Sequence, residues 1–103
     1  MASPTTKPTA ADEILAALSV GVRRDILRLI DADGPLSPKV LAGALGLPLP
    51  NTSYHVKVLC DTGLIELVST APRRGALEHF YKRSRKNASR VDEIMASADR
   101  LRR

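Results

Sequence analysis

The sequence predicts one mainly α-helical domain with a small β-hairpin, an α+β fold of about five helices and two strands. Three observations predict it. Apolar residues recur at helical spacing through most of the chain. Between residues 64 and 82 the period shortens to two around a segment containing Pro and Gly. The chain has 103 residues, fewer than the roughly 150 that one domain commonly takes, so a single small core is expected. With 44% hydrophobic and 26% charged residues, the composition excludes both a fully disordered tail and a collagen-like fibre.

Residues 1–10 hold three Thr, two Pro, a Ser and a Lys without apolar periodicity, and are expected to form a flexible leader before a domain at 11–85. From Asp12, the spacing of Ile14, Leu15 and Leu18 predicts a short helix, with Asp12 and Glu13 suited to its positive end. Val22, Ile26, Leu29 and Ile30 give a second helical stripe, with Arg23, Arg24, Asp25 and Arg28 on its polar face. That helix is expected to end at Asp33-Gly34-Pro35. Ser37 can cap a third helix, Pro38 suits its first position, and Val40, Leu41, Ala44 and Leu45 form the expected inward stripe up to Gly46. The fourth segment turns Thr52, Val56 and Leu59 inward and ends at Asp61-Thr62-Gly63, where Gly63 suits a left-handed cap. Residues 64–69, LIELVS, and 76–82, ALEHFYK, read as the strands of a hairpin, with TAPRRG as its basic turn. Val91, Ile94, Met95, Ala98 and Leu101 predict an amphipathic helix within residues 86–103.

The net charge of +5 is unevenly placed. Residues 72–103 carry ten Lys/Arg against four Asp/Glu, whereas residues 1–71 carry six against seven. Concentrated positive charge favours a polyanionic partner, because it displaces condensed counterions from nucleic acid; the alternative is a solvated basic tail. No stretch approaches the about 20 apolar residues needed to cross a bilayer, and the first residues lack a secretory apolar core, so a cytoplasmic protein without membrane contact is expected. Cys60 is the only cysteine, so no internal disulfide can form.

Three helices, a further helix after a Gly-containing turn, a hairpin and a last helix make the order of a winged helix-turn-helix domain. Leu18 to Tyr81, containing LSVGVRRDILRLI, LSPKVLAGALGL, NTSYHVKVLCDTGLIEL and RRGALEHFYK, resembles the ArsR/SmtB-type winged-helix transcription regulators. The resemblance is most specific at Ser53 to Leu59 followed by Gly63-Leu64-Ile65, which is similar to that family's recognition helix entering its first wing strand. It implies a homodimeric repressor of transcription that releases DNA when an effector binds, with double-stranded DNA as partner and an effector that the sequence does not identify. The major groove admits one α-helix. With Thr52, Val56 and Leu59 inward, a rotation of about 100° per residue turns Pro50, Tyr54, Lys57 and Asp61 outward, flanked by Asn51 and Ser53. Asn51 can pair with adenine, Ser53 with a base or phosphate, Tyr54 through its hydroxyl, and Lys57 with phosphate; the alternative for each is a solvated face. Arg73 and Arg74 at the hairpin tip suit an adjacent minor groove, and Lys39 is a backbone candidate.

Two departures from the family pattern stand out. Pro48-Leu49-Pro50-Asn51 replaces a capping Ser or Thr, so the recognition helix is expected to start near Pro50, with Leu49 biased out of helical geometry. Val20-Gly21-Val22 stands where relatives often have Asp-Pro-Thr, which predicts a weak cap. No metal site or cofactor is expected: the third helix has no Cys pair, the last has Asp92, Glu93 and Asp99 but no His, and Cys60, His55 and His79 lack ligand spacing. No enzyme is expected either, since Cys60 and His55 lie five residues apart on one helix with their side chains turned well apart. Cys60 reads as a semi-buried packing thiol, with a redox switch as the alternative.

Ile14, Leu15 and Leu18 together with Val91, Ile94, Met95, Ala98 and Leu101 give more apolar surface than a small core needs, which predicts a twofold dimer through the end helices. The competing reading of the whole is a winged-helix module that docks on an acidic protein without sequence-specific DNA recognition. Single-stranded RNA binding would want exposed stacking aromatics, and the chain has three aromatics in all.

Overall fold

The computed structural model describes residues 9–101. Its elements run α1 Ala10–Leu18, α2 Gly21–Asp33, α3 Pro38–Leu45, α4 Leu49–Asp61, β1 Ile65–Arg73, β2 Ala76–Arg83 and α5 Ala88–Leu101. Five helices and one antiparallel hairpin are the predicted fold class.

Local chemistry explains the helix ends. Thr9 and Asp12 form a reciprocal capping box, each side chain bonded at 3.1 Å to the other's backbone N–H. The expected leader therefore loses Thr9 and Ala10 to α1, while residues 1–8 lie outside the described residues. α2 begins at Gly21 with no side-chain cap. Ser37 caps α3 by accepting from the Val40 N–H at 3.2 Å, and Gly46 ends that helix in the left-handed region at φ 66°. α4 starts at Leu49, one residue before the expected start. Pro50 is tolerated in the first turn because its missing N–H would have no helical partner there. At its other end the Leu64 N–H bonds the Leu59 carbonyl at 2.9 Å and the Gly63 N–H bonds that of Cys60 at 3.0 Å. This is a Schellman motif with Gly63 at φ 78°.

Strands β1 and β2 are longer than expected, and the TAPRRG segment is mostly strand. Only Arg74 and Gly75 turn, at φ 46° and 84°, the two positive angles of a type I′ hairpin. Arg73 is consequently the last residue of β1, paired with Ala76, and not part of the turn. A bulge lies between Leu67 and Ser69. Leu36 adds a bridge to Tyr81 through backbone bonds of 3.0 and 2.9 Å, tying the loop before α3 to the wing.

One core joins these parts: Ile14, Ala17 and Leu18 of α1, Ile26, Leu27 and Ile30 of α2, Leu41, Val56, Leu59, Leu64, Ile65 and Val91. The inward stripe of α3 is rotated from the expected one, with Leu41 and Ala42 buried but Val40 and Ala44 exposed. Leu41 and Leu45 belong to either stripe, and the buried Ser37 cap at the helix start sets the rotation. Arg83 clamps α5 to α2 through Asp92 at 2.5 Å and Asp31 at 3.2 Å.

Candidate nucleic-acid interface

Thr52, Val56 and Leu59 fasten α4 to the core, and Thr52 also donates its hydroxyl to the Pro48 carbonyl at 3.1 Å. That rotation leaves Pro50, Asn51, Tyr54 and Lys57 exposed, with Ser53 half-buried beside them. Lys57 pairs with Asp61 at 2.8 Å one turn on, which raises its pKa; both side chains remain largely in solvent.

Tyr54, 58% exposed, is held from behind. The Arg23 guanidinium lies 5.8 Å from its ring centre, and the His55 ring meets it edge-on at 5.5 Å. Arg23 Nε donates to His55 Nδ1 at 3.1 Å, so that nitrogen is an acceptor. Burial first, and then the Arg23 charge, lower the His55 pKa from its ordinary value. The polar face of α2 is therefore a set of cross-links. Arg23 reaches α4, Arg24 Nη1 donates to the Leu18 carbonyl at 2.7 Å, and Arg28 bridges Asp25 and Asp99. Periodicity gives no signal for such partners.

On the wing, Arg73 Nε bonds Glu78 Oε1 at 2.8 Å, and the buried Ser37 hydroxyl donates to Glu78 Oε2 at 2.5 Å. These bonds, that of Ser37 foremost, hold the Glu78 carboxyl below its ordinary pKa, and the nearby Lys39 charge adds to them. Lys39, Lys57 and Arg73 thus border one groove between α3, α4 and the wing. Arg74 stands apart in the turn, exposed and without an ion pair among the described residues.

The end-helix set divides. Ile14, Leu18 and Val91 are at most 2% exposed within the protomer, so they belong to its own core and cannot face a partner. Leu15 at 57% and Leu101 at 84% are exposed, and Ile94, Met95 and Ala98 are half-buried. Cys60 is half-buried. Among the described residues, no group of three or more His, Cys, Asp or Glu is placed to hold a metal ion, and no helix is long and apolar enough to cross a membrane.

The family described as a helix-turn-helix domain matches residues 18–68, the segment running from the end of α1 through α4 into β1. Reduced HlyU from Vibrio cholerae is similar at 26% identity and a TM-score of 0.67, covering 89% of this chain and 87% of that one. The chain has an ArsR-like winged helix-turn-helix fold. This ArsR-like chain also shares its fold with the homodimeric winged helix-turn-helix DNA-binding domain of Mb0332 from Mycobacterium bovis, a possible ArsR-family transcriptional regulator. There the identity is 24%, the TM-score 0.65, and the coverage 98% of this chain and 89% of that one. MepR of Staphylococcus aureus, in its F27L form bound to an oligodeoxyribonucleotide, has the fold at 19% identity and a TM-score of 0.63, covering 89% of this chain and 67% of that one. No curated protein matches the chain. The fold is thus a winged helix-turn-helix, shared with DNA-binding transcription regulators.

Proposed function

We propose that this ArsR-like protein is a cytoplasmic homodimeric repressor that reads the major groove with residues 50–57 of α4. The observation that carries the reading is the outer face of α4. Asn51, Ser53, Tyr54 and Lys57 lie together on a helix whose opposite side is locked by Thr52, Val56 and Leu59. Asn51 is the adenine reader, Ser53 and Tyr54 bond base or phosphate, Lys57 and Lys39 bind phosphate, and Pro50 packs against the groove wall. Arg74 at the turn enters the adjacent minor groove, with Arg73 behind it on the backbone. The DNA-bound state of MepR supports this use of the fold.

Dimerisation uses Leu15, Ile94, Met95, Ala98 and Leu101. The exposure of Leu15 and Leu101, 57% and 84% within the protomer, supports a partner on this face. Two α4 helices would then meet half-sites about 34–36 Å apart.

Titration of the protein against labelled duplex from its own upstream region and a scrambled duplex, at two salt concentrations, tests the reading. Preference of at least about a thousandfold for the upstream duplex is expected. Lys57→Ala should weaken all duplexes alike and lower the salt slope by about 1, while Asn51→Ala should remove about 1–3 kcal/mol of sequence preference. Weak, equal binding that vanishes with salt would overturn it in favour of docking on an acidic protein.

A further inference from the structure

We propose that Arg24 of one protomer is paired across the twofold by Glu93 of the partner subunit, and that this ion pair, made twice, decides which copies associate. The inference rests on the dimer reading above and adds the polar contact that gives that interface its specificity.

Arg24 lacks a counter-charge. Of the arginines on α2, Arg23 is bonded to His55 and Arg28 to Asp25 and Asp99. Arg24 has only the Leu18 carbonyl, 2.7 Å from its Nη1, and makes no ion pair among the described residues. Its Nε is enclosed without a hydrogen-bond partner, the one buried side-chain nitrogen or oxygen atom among the described residues in that state. Drawing a guanidinium out of water is costly unless an anion meets it, and buried polar groups are as a rule satisfied. The protomer's own fold does not supply that anion, so a second molecule must.

Arg24 borders a groove of about 600 Å³ between α1 and α5. Leu15 and Leu101 form its apolar sides and are largely exposed, as a face awaiting cover is. Glu93, exposed on α5, lines the same groove and likewise makes no ion pair among the described residues. An uncommitted cation and an uncommitted carboxylate thus share one surface without meeting within the protomer. In a twofold interface, each contact is repeated with the subunits exchanged, so a surface carrying both signs is complementary to its own copy. Arg100, the other cation of the groove, is exposed and donates to Ser97 Oγ at 3.1 Å, so it has no desolvated charge to offset.

Sedimentation equilibrium of the full chain tests the pair. Glu93→Arg and Arg24→Glu each set like charges together at two places, and each alone should raise the dimer dissociation constant at least about a hundredfold. In an equimolar mixture of the two variants, both contacts of the mixed dimer join opposite charges, and association should return to within about tenfold of wild type. A pair closed inside one protomer would give no such recovery in the mixture, which would overturn the proposal. Arg24→Glu also loses the Leu18 bond. Should it not fold, Glu93→Gln, at an exposed position, should still weaken the dimer at least about tenfold and Glu93→Arg more. Variants that associate as tightly as a dimeric wild type overturn the pair and leave the dimer standing, as does recovery of Glu93→Arg by Arg100→Glu but not by Arg24→Glu. A monomeric wild type overturns the dimer reading itself and the pair with it.

Discussion

Replacing Ser37 with Ala removes one oxygen that holds two elements at once. Its hydroxyl caps α3 at Val40, at 3.2 Å, and donates to Glu78 of the wing at 2.5 Å, in a residue with no exposed surface. Loss of the cap alone costs about 1 kcal/mol. In a domain of this size that lowers the melting temperature by about 4–8 °C, readable by far-UV circular dichroism at neutral pH. The bond to Glu78 makes the loss depend on pH. A carboxyl whose folded pKa is depressed stabilises the fold above its unfolded value, and that contribution disappears as pH falls through the folded value. Ser37 is the largest cause of the depression, so the gap between wild type and Ser37→Ala should narrow between neutral pH and about pH 3, leaving mainly the cap. Glu78→Gln, which keeps the cap, should reproduce only the pH-dependent part. Melting of Ser37→Ala within about 1 °C of wild type, or a gap equal at both pH values, refutes the dual role.

Gly46→Ala places a side chain at φ 66° and should cost about 1 kcal/mol, seen as a lower urea midpoint at unchanged slope; an unchanged midpoint contradicts the left-handed cap. Leu101→Asp, at a position 84% exposed in the protomer, should convert a sedimenting dimer to a folded monomer, and an unaltered sedimentation coefficient removes the end helices from the interface. The His55 ring should titrate by NMR below its ordinary pKa. Because that pKa is depressed, its contribution to stability is complete above the ordinary value and is lost on acidification below it. Arg23→Ala should move the titration only part-way back, since burial is the larger cause; a full return would assign the shift to charge.

Features set by neighbours in sequence were legible in it. Ser37, Gly46 and Gly63 act within one helical turn of themselves, and the spacing of Thr52, Val56 and Leu59 decides the rotation of α4 because all three must face the core. Features set by distant partners were not. Leu15 and Leu18 look alike as a pattern, yet α5 and α2 cover only the second, and the exposed one is left for a partner. The hairpin tip misled because Pro and Gly usually mark loops. Pro72 stays in β1, since both strands of a two-stranded ribbon are edges, and Arg74 takes a positive φ that its residue type does not advertise. Leu36 bridges Tyr81 as a single residue, too short to alternate. Arg23 finds His55 thirty-two positions away, and nothing in a row of arginines distinguishes it from its neighbours.

These distant contacts share one consequence for the reading helix. α4 has no side-chain cap at its start, and two prolines flank its first residue, so its N-terminal end does little to orient it. Its placement comes from outside. Arg23 of α2 braces Tyr54 and His55, while Ser37 and Glu78 join the start of α3 to the wing that flanks the groove. None of Arg23, Ser37 and Glu78 belongs to the surface proposed to touch bases, yet each fixes the angle at which that surface is offered. Binding energy depends steeply on such placement, because a bidentate base contact tolerates little misalignment before its hydrogen bonds lengthen. Arg23→Ala should therefore cost sequence preference more than nonspecific affinity, the pattern expected of Asn51→Ala, even though Arg23 carries a charge. A loss spread evenly over all duplexes would instead make Arg23 a phosphate contact and remove it from the bracing role.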